Sequence, residues 1–304
     1  MDAIIASGLR KAYGNVRAVD GLDLRVEAGQ VFGMLGPNGA GKTTTVEILV
    51  GLRDRDSGNV SVLGYDPGRQ GREVKWRIGV QLQSYGLYPR LTVREVVRLF
   101  ASFYRNTLPV DEVIERVGLT AKANTIVKAL SGGQAQRLAV ALAMVNDADL
   151  IFLDEPTTGL DPQARRGLWD VIRNMKDRGK TVFLTTHYMD EAERLCDTVA
   201  VVDHGKVIAL DSPSRLISEH FQEQAVEFSN SISNDREKFQ SLPGVSRAQF
   251  DGEKATLYTK DVTRTIAALM ELAQRDGIPI DDVIVRRATL EDVFLKLTGR
   301  RIRE

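Results

Sequence analysis

The chain has 304 residues, 43% of them hydrophobic, and its 41 lysines and arginines balance its 41 aspartates and glutamates. The zero net charge gives no whole-chain signal for nucleic-acid binding, and the single cysteine, Cys196, excludes an internal disulfide and a cysteine-built zinc site. No apolar run approaches the roughly 20 residues that span a bilayer, and the N-terminus lacks a signal-peptide pattern. We expect a soluble, intracellular protein of one large domain or two, which would need an embedded partner to act at a membrane.

The first 35 residues predict an antiparallel β region. Strand-like runs cover Ile4–Leu9 and Leu22–Val26, and a turn leads from the second into a third run, Gln30–Leu35. Tyr13 is predicted to lie between the first two strands, on a glycine-flanked loop. An aromatic side chain there can stack on a nucleotide base, although the residue alone is more typical of an ordinary loop.

Residues 36–44 connect the third strand to a helix-like run, Thr45–Gly51. Their sequence, Gly-Pro-Asn-Gly-Ala-Gly-Lys-Thr-Thr, has the spacing and the strand–loop–helix context of a phosphate-binding P-loop. The glycines allow backbone N–H groups to close around a polyphosphate, and the N-terminus of the following helix favours an anion. Lys42 can neutralise the outer phosphates, and the Thr43 hydroxyl can bind Mg²⁺. The segment therefore predicts nucleotide binding.

The next hundred residues combine strands with a helical insert. Strands are predicted at Gly58–Gly64 and Ile78–Gln83, and the following segment, Ser84–Arg90, breaks the pattern. Thr92 then opens a helix with a capping box, and a second helix covers Val110–Val117. We expect residues of about 90 to 128 to form a compact helical insert in an α/β protein.

A second anion-receptive segment follows the insert. Leu130–Arg137 reads Leu-Ser-Gly-Gly-Gln-Ala-Gln-Arg and leads into an apolar helix, Leu138–Val145. A serine and two glycines at a helix start leave backbone N–H groups available to an anion. The same residues also suit a plain N-cap with a flexible approach, and the residues alone leave both interpretations open.

Acidic and imidazole side chains follow two apolar strands. The run Asp149–Pro156 predicts a buried parallel strand, and its two carboxylates stand at the end where open α/β sheets hold ligands. Asp154 suits a metal-linked position, and Glu155 could orient or deprotonate water. A second buried strand, Thr181–Thr186, ends at His187, which is predicted at the same sheet edge. Val199–Val202 and Lys206–Leu210 predict a final strand pair.

Taken together, these motifs resemble the nucleotide-binding subunit of an ATP-binding cassette (ABC) transporter over residues 1 to about 215. The Leu-Ser-Gly-Gly-Gln segment is the main basis for this resemblance, because it is the signature motif of the ABC family. By resemblance, Gln83 matches the Q-loop glutamine, with Gln81 as a second candidate two residues earlier, and Glu155, His187, Lys42 and Gln83 are catalytic. The residues implied to bind ATP are Tyr13, Gly36, Pro37, Asn38, Gly39, Ala40, Gly41, Lys42, Thr43, Thr44, Ser131, Gly132, Gly133, Gln134 and Asp161. Those implied to hold Mg²⁺ are Thr43, Gln83 and Asp154.

Two further stretches narrow the resemblance. Leu184–Glu193 and Ala288–Gly299 are similar to the ATPase subunits of bacterial drug-resistance exporters of the daunorubicin-resistance group, whose permease is a separate polypeptide. The resemblance implies ATP-driven dimerisation, with each ATP sandwiched between two copies, and indirect attachment to the cytoplasmic face of the membrane through the permease. It implies no nucleic-acid partner.

The last third of the chain changes character. Short strands are predicted at Val226–Ser229, Arg247–Phe250, Ala255–Thr259 and Val283–Arg286, with helices at Val262–Gln274 and Leu290–Leu297. This pattern indicates a small α+β domain, ferredoxin-like in type, with a regulatory or dimer-supporting role. The basic end, Arg300–Arg303, suits a solvated tail better than a lipid contact.

We therefore predict an α/β fold: a P-loop NTPase core of the RecA-like type with an antiparallel β subdomain and a helical insert, followed by a small C-terminal α+β domain. The predicted boundaries are 1–215, with the helical subdomain at about 84–137, and 222–304. The main alternative is a soluble ABC ATPase that acts on ribosomes or DNA. The ribosomal kind carries two cassettes, whereas this chain carries one, and the DNA-repair kind carries a long coiled coil, whereas this chain has no sustained heptads. A GTPase-type switch would need a guanine-reading Asn-Lys-x-Asp, which the chain lacks.

Overall fold

A computed structural model describes residues 1–83, 86–229, 236–251 and 254–299. The chain divides into two compact units, Met1–Pro213 with residues 297–299, and Ser214–Lys296. That residues 1–215 and 222–304 are separate domains, each folding independently, remains a prediction. Within the described residues, no helix is both long and apolar enough to cross a membrane.

The first unit is built from nine strands and seven helices in the described part of the chain. The strands are β1 (Asp2–Tyr13), β2 (Val16–Glu27), β3 (Val31–Leu35), β4 (Ser57–Val62), β5 (Ile78–Gln81), β6 (Leu150–Asp154), β7 (Thr181–Thr186), β8 (Thr198–Asp203) and β9 (Lys206–Asp211). The helices are α1 (Lys42–Leu49), α2 (Gly71–Lys75), α3 (Val93–Ala101), α4 (Val110–Arg116), α5 (Gly132–Met144), α6 (Pro162–Asp177) and α7 (Met189–Leu195).

Of the antiparallel region predicted over the first 35 residues, β1 and β2 form a three-stranded sheet with β4, in the order β2-β1-β4. The predicted third strand, β3, is not part of it, because it pairs in parallel with β7 and β8. Alternate residues of β2, among them Leu22, Leu24 and Val26, are buried, which is the period of a strand with one face on a core. The two long strands meet at a turn through Gly14, so Tyr13 is the last residue of β1 and not part of a loop.

A six-stranded sheet in the order β5-β6-β7-β3-β8-β9 forms the centre of this unit. Its strands run parallel except β9, which pairs antiparallel to β8. The register pairs Leu35 with Thr186 and Asp154 with Thr185, so β3, β6 and β7 end level with one another. The loops that follow these three strands therefore leave the sheet at one edge, where open α/β sheets bind ligands.

Two helix starts agree with the sequence. Thr92 caps α3 in a capping box with Glu95, as predicted. The helix whose apolar part was predicted at Leu138–Val145 begins at Gly132, with Ser131 as its N-cap. The Ser131 hydroxyl accepts a hydrogen bond from the Gln134 N–H, and the Gln134 side-chain oxygen accepts one from the Ser131 N–H. This box compensates for the poor helix propensity of two glycines in the first turn.

The second unit contains α8 (Pro213–His220), β10 (Gln224–Ser229), α9 (Arg236–Gln240), β11 (Val245–Asp251), β12 (Lys254–Thr259), α10 (Val262–Asp276), β13 (Asp281–Arg286) and α11 (Leu290–Thr298). From β10 to β13 the order is β-α-β-β-α-β, and the antiparallel sheet runs β11-β12-β10-β13. This is the ferredoxin-like arrangement predicted from the sequence. Its core includes Val226, Phe228, Leu257 and Leu269. The basic segment Arg300–Arg303 lies outside the described residues.

Candidate active site

The loop between β3 and α1 has the tight backbone that the P-loop spacing predicts. Gly39 and Gly41 have φ values of 80° and 99°, in the left-handed region that favours glycine. A Cβ on Gly41 would lie 2.1 Å from the carbonyl oxygen of Ala18, and one on Gly36 would lie 2.3 Å from that of Val202. A side chain at Gly36 or Gly41 would therefore collide with neighbouring backbone, so both positions require glycine.

Lys42 begins α1 and is almost fully buried. Its ammonium group donates hydrogen bonds to the carbonyl oxygens of Gly36, at 2.8 Å, and Pro37, at 3.1 Å. The same nitrogen lies 3.1 Å from Oε1 of Glu155, so the loop lysine and the acidic residue after β6 form a buried ion pair. The Lys42 ammonium group is thus held between the P-loop backbone and Glu155.

Asp154, the last residue of β6, is completely buried. Its Oδ1 accepts hydrogen bonds from the hydroxyls of Thr185 and, at 3.4 Å, Thr43. Its Oδ2 is buried with no hydrogen-bond partner among the described residues. Burial raises the pKa of this carboxyl, and the two threonine hydroxyls offset part of that rise. An ionised carboxylate here would be stabilised by a cation.

Glu155 follows in the left-handed region, with φ of 48°. Its N–H donates to the Oγ1 of Thr185 at 2.9 Å, which holds the strained turn in place. Its carboxylate lies 3.3 Å from Nδ1 of His187 and accepts from the Thr158 hydroxyl at 3.2 Å. The His187 contact and the Lys42 charge lower the pKa of Glu155 to about 2, against the effect of burial. The carboxyl is therefore ionised at neutral pH.

The two glutamines after β5 differ in their contacts. Gln83 donates from Nε2 to Oε2 of Glu155 at 3.3 Å. Gln81 is buried, donates to the carbonyl oxygen of Leu82 at 2.7 Å, and has no partner for its own oxygen among the described residues. Gln81 also donates to the backbone carbonyl oxygen of Asp154 at 3.5 Å. Gln83 therefore differs from it in reaching the carboxylate of a site residue rather than backbone oxygens alone.

Other predicted site residues lie apart from this cluster. Within the described ranges, no hydrogen bond or ion pair joins Ser131–Gln134 or Asp161 to the P-loop. Ser131 and Asp161 instead cap α5 and α6. Tyr13 is 42% exposed, and its ring lies 5.2 Å from the guanidinium carbon of Arg53. The structure thus brings together Lys42, Thr43, Gln83, Asp154, Glu155 and His187 beside the P-loop, and Lys42 contacts Gly36 and Pro37 of that loop. Tyr13, Ser131–Gln134 and Asp161 lie outside this group.

Sequence reasoning missed three contributors. Thr185 contacts both acidic residues, and Thr158 donates to Glu155. Helix α6 was also missed, although Asp161 followed by Pro162 is a recognisable helix start and the Asp161 carboxylate accepts from the N–H groups of Gln163 and Ala164. The threonines carry no comparable signal, because Thr185 is simply one of the β-branched residues that favour a strand.

The lowered pKa of Glu155 makes a prediction about stability. A carboxyl whose pKa is lower in the folded than in the unfolded protein stabilises the fold above its unfolded pKa, and this contribution is lost as pH falls through the folded pKa. We expect the free energy of unfolding of the wild type, minus that of Glu155→Gln, to be greatest above pH 4.5 and to shrink toward pH 2. Urea denaturation across this range measures the difference, and a difference that grows on acidification would contradict the pKa assignment.

Comparison with known proteins identifies the family. Residues 19–158 match the family model described as ABC transporter, and residues 236–299 match the C-terminal domain of the nodulation factor export protein NodI. The chain is 40% identical to the Nod factor export ATP-binding protein I of Ralstonia nicotianae over 98% of its own length and 94% of the relative's. It is 41% identical to the protein of the same name from a Rhizobium species, over 98% and 97%. These relatives are named for Nod factor export rather than for daunorubicin resistance.

Solved structures agree with this assignment. A Clostridium perfringens protein, part of an ABC transporter complex, matches 72% of this chain and 92% of its own, with 27% identity and a TM-score of 0.65. A dimeric bacterial ABC transporter cassette matches 69% of this chain and 98% of its own, also with 27% identity, and a TM-score of 0.61. The chain therefore belongs to the ABC transporter family, as one of its ATP-binding and ATP-hydrolysing subunits.

Proposed function

We propose that this chain hydrolyses ATP at the interface of a homodimer and drives export through a separate transmembrane permease. The observation that carries the proposal is the convergence of Lys42, Asp154, Glu155 and His187 at one edge of the parallel sheet. These four side chains, which suit phosphate binding, cation binding and water activation, lie close to one another. The names of the relatives, all export ATP-binding proteins, favour the export direction.

The P-loop binds the phosphates of ATP in this proposal. Its backbone N–H groups and the N-terminus of α1 face the polyphosphate. Lys42 exchanges its contacts to the Gly36 and Pro37 carbonyls for phosphate oxygens, which carry full negative charge and accept stronger hydrogen bonds. Tyr13, at the end of β1, stacks on the adenine.

The residues beside the loop fit Mg²⁺. Thr43 and Asp154 converge, and the buried Oδ2 of Asp154 is an oxygen ligand without a partner among the described residues. Carboxylate and hydroxyl oxygens are ligands that Mg²⁺ accepts alongside substrate phosphates. Bound there, the ion would neutralise charge on the phosphates during transfer. Gln83, which contacts Glu155, is the third residue that we propose to hold Mg²⁺, with Thr43 and Asp154.

Glu155 acts on the attacking water. Its carboxylate is ionised and can accept a proton as the water oxygen bonds to the γ-phosphorus and the bond to the ADP oxygen breaks. His187, 3.3 Å away, holds the carboxylate in position. Phosphoryl transfer asks for little covalent help from a protein, so placement and charge supply most of the acceleration.

The signature segment serves the second copy of the chain. Ser131 and Gly132 begin α5 with backbone N–H groups at the end of the helix that attracts anions, and no described hydrogen bond ties them to the P-loop of their own chain. We assign Ser131–Gln134 to the γ-phosphate bound by the partner, with Asp161 at the same interface. The dimeric cassette among the similar structures supports the dimer on which this assignment depends.

A groove on the first unit suits a helix of the permease. It has a volume of about 300 Å³, lies between the parallel sheet and the helical insert, and is lined mainly by apolar side chains. Val80 and Leu82 form one wall, and Phe100 and Tyr104 form another. Leu52, which also lines the groove, is exposed, and exposed Phe103 packs edge-on against Phe100. Binding there would place the protein peripherally on the cytoplasmic face of the membrane, and the cargo, whether a Nod factor or a drug, would be selected by the permease.

The segment beside the groove provides a test of coupling. Of the predicted contact segment Ser84–Arg90, the first two residues lie outside the described residues, whereas Leu87 is half-buried and Tyr88 is 49% exposed. Either Leu87→Glu or Tyr88→Glu is expected to lower export at least about tenfold, since a buried unpaired carboxylate is costly at an apolar contact. Basal hydrolysis should change less than about twofold, because neither residue contacts the acidic cluster.

Transport in vesicles and phosphate release from the isolated subunit measure these two activities. Ile208→Glu, an exposed apolar residue on β9, serves as the matched control and should leave both unchanged. If hydrolysis fell together with export in a folded Tyr88→Glu protein, the contact role would be wrong.

Cell fractionation tests the function as a whole. We expect the ATPase to sediment with membranes when the permease, a transmembrane protein, is co-expressed, and to stay in the supernatant otherwise. Co-sedimentation with ribosomes or retention on DNA, independent of the permease, would instead support the soluble ABC alternative.

A further inference from the structure

Tyr188, the residue after His187, packs against the imidazole ring and has no role in the mechanism above. The centroids of the two rings lie 4.2 Å apart, and their planes are tilted by 41°. The backbone N–H of Tyr188 donates to the Thr186 hydroxyl at 3.0 Å, which fixes the turn that leaves β7. The imidazole therefore contacts an aromatic side chain as well as facing Glu155.

Arg165, on α6, packs against the same tyrosine ring. Its guanidinium carbon lies 4.3 Å from the ring centroid of Tyr188, which is within the range of a cation–π contact. The Arg165 side chain is 21% exposed, and its Nε is buried with no hydrogen-bond partner among the described residues. Its Nη1 lies 3.6 Å from a carboxylate oxygen of Asp190, which is longer than a hydrogen bond. Stacking on an aromatic ring, which suits a planar guanidinium, explains this placement better than hydrogen bonding does.

These contacts form a continuous chain from α6 to the proposed catalytic pair. Arg165 contacts Tyr188, and Tyr188 contacts His187. Nδ1 of His187 in turn lies 3.3 Å from Oε2 of Glu155. That nitrogen has no well-aligned hydrogen-bond partner among the described residues, so it does not fix the imidazole by a hydrogen bond. Packing against neighbouring side chains must therefore set the orientation of the ring.

We infer that Tyr188 and Arg165 are positioning residues that hold the His187 imidazole against Glu155. The inference rests on the proposed function, in which His187 and Glu155 act together on the attacking water. Tyr188 and Arg165 touch neither nucleotide nor water in this role. They act through His187, so their loss should slow the chemical step and spare the binding of ATP, which the P-loop performs.

Two substitutions at Tyr188 separate the ring from its hydroxyl. Tyr188→Phe keeps an aromatic face for His187 and Arg165, so kcat should stay within about threefold of the wild type. Tyr188→Leu keeps an apolar side chain and removes the ring, and kcat should fall at least about tenfold, because small displacements of reacting groups are costly. KM for ATP should change less than about threefold in both variants.

Tyr65→Leu is the matched control, because the ring of Tyr65 also carries an arginine. The guanidinium carbon of Arg77 lies 4.8 Å from the Tyr65 ring centroid. Arg77 precedes β5, at the end of the strand opposite Gln83. Loss of this second stack should affect stability more than turnover, and kcat should stay within about twofold of the wild type.

Arg165→Met provides a second route if Tyr188→Leu fails to fold. Methionine keeps an unbranched side chain and removes the planar charge, so kcat should fall about threefold or more without a rise in KM. Arg166→Met is its control, since it makes the same substitution at the next residue of α6, where the side chain is exposed. This control should leave kcat within about twofold.

A second background tests whether Tyr188 acts through the imidazole. In a His187→Ala protein no imidazole is left to position, so adding Tyr188→Leu should change the residual kcat less than about twofold. A merely structural role of Tyr188 would instead lower kcat by the same factor with and without His187.

Steady-state kinetics of the full-length variants, with folding checked by circular dichroism, decide the matter. A selective loss of kcat in Tyr188→Leu and Arg165→Met, absent from the His187→Ala background, supports the positioning role. Full activity of either folded variant would overturn it. So would an equal loss in Tyr188→Phe, a rise in KM as large as the fall in kcat, or an undiminished effect of Tyr188→Leu without His187. A Glu155→Gln protein that retained turnover would refute the proposed function itself, and so the two failures can be told apart.

Discussion

Lys42→Ala is expected to lower ATP turnover at least about 100-fold, the scale on which a fixed charge at the reacting centre contributes. Lys42 is the buried cation of the P-loop, and it already bridges two loop carbonyls and Glu155. Alanine leaves those oxygens without their cation and leaves the transferring phosphoryl without its nearest positive charge. Phosphate release under saturating ATP measures the loss.

Lys180→Ala is a matched control for this variant. Lys180 is also largely buried and ion-paired, with Asp147 and Asp149, but it precedes β7 at the end opposite His187. Its loss should affect stability more than turnover, which should stay within about twofold. Near-wild-type hydrolysis by a folded Lys42→Ala protein would refute the assignment of residues 36–44 as the phosphate site.

Glu155→Gln should reduce hydrolysis about 10²- to 10⁴-fold, the range ascribed to general acid–base catalysis, while ATP still binds. Glutamine has the same shape and can keep the contacts to Thr158 and Gln83, yet it cannot accept the proton of the attacking water. Bound nucleotide should therefore persist as ATP. Chromatography of nucleotide extracted from the protein after single-turnover incubation distinguishes ATP from ADP.

The control for Glu155→Gln precedes the same strand. Asp149 lies just before β6, at the end away from the site, with a side chain 88% exposed. Asp149→Asn should retain turnover within about twofold, because an exposed carboxylate that far from the site has little electrostatic effect. If Glu155→Gln hydrolysed ATP as fast as this control, the residue would not be the base.

Local sequence patterns predicted much of this molecule because several elements are determined locally. The strand Thr181–Thr186 matches its predicted bounds, since it is a continuous apolar and β-branched run buried on both faces. The C-terminal strands and α10 were predicted within a few residues, and their order gives the ferredoxin-like sheet. The P-loop was predicted from its spacing and its strand–loop–helix context, because phosphate binding by the backbone requires glycine at fixed positions before a helix.

Other features depend on contacts between distant residues. The sequence offered Ser131 as an N-cap but also as part of an anion site with a flexible approach, and the capping box that Gln134 completes was not predicted. The buried pair of Lys42 and Glu155 joins residues more than a hundred positions apart, and no local pattern encodes it. Glu191 reads in the sequence as one of several acidic residues on a helix, and only the packing of α6 against α7 reveals its burial.

The mass of the full-length Glu155→Gln protein, measured by size-exclusion chromatography with light scattering, tests the account most directly. Ser131 would meet the γ-phosphate of the partner's ATP, and ADP lacks that group, so ATP favours the closed dimer by its differential affinity. The nucleotide-sandwich mechanism predicts a dimer with ATP and Mg²⁺ and a monomer with ADP. It also predicts that adding Ser131→Arg restores the monomer with ATP. A Glu155→Gln protein that binds ATP yet stays monomeric at high concentration, or that has the same mass with ATP and ADP, would contradict it.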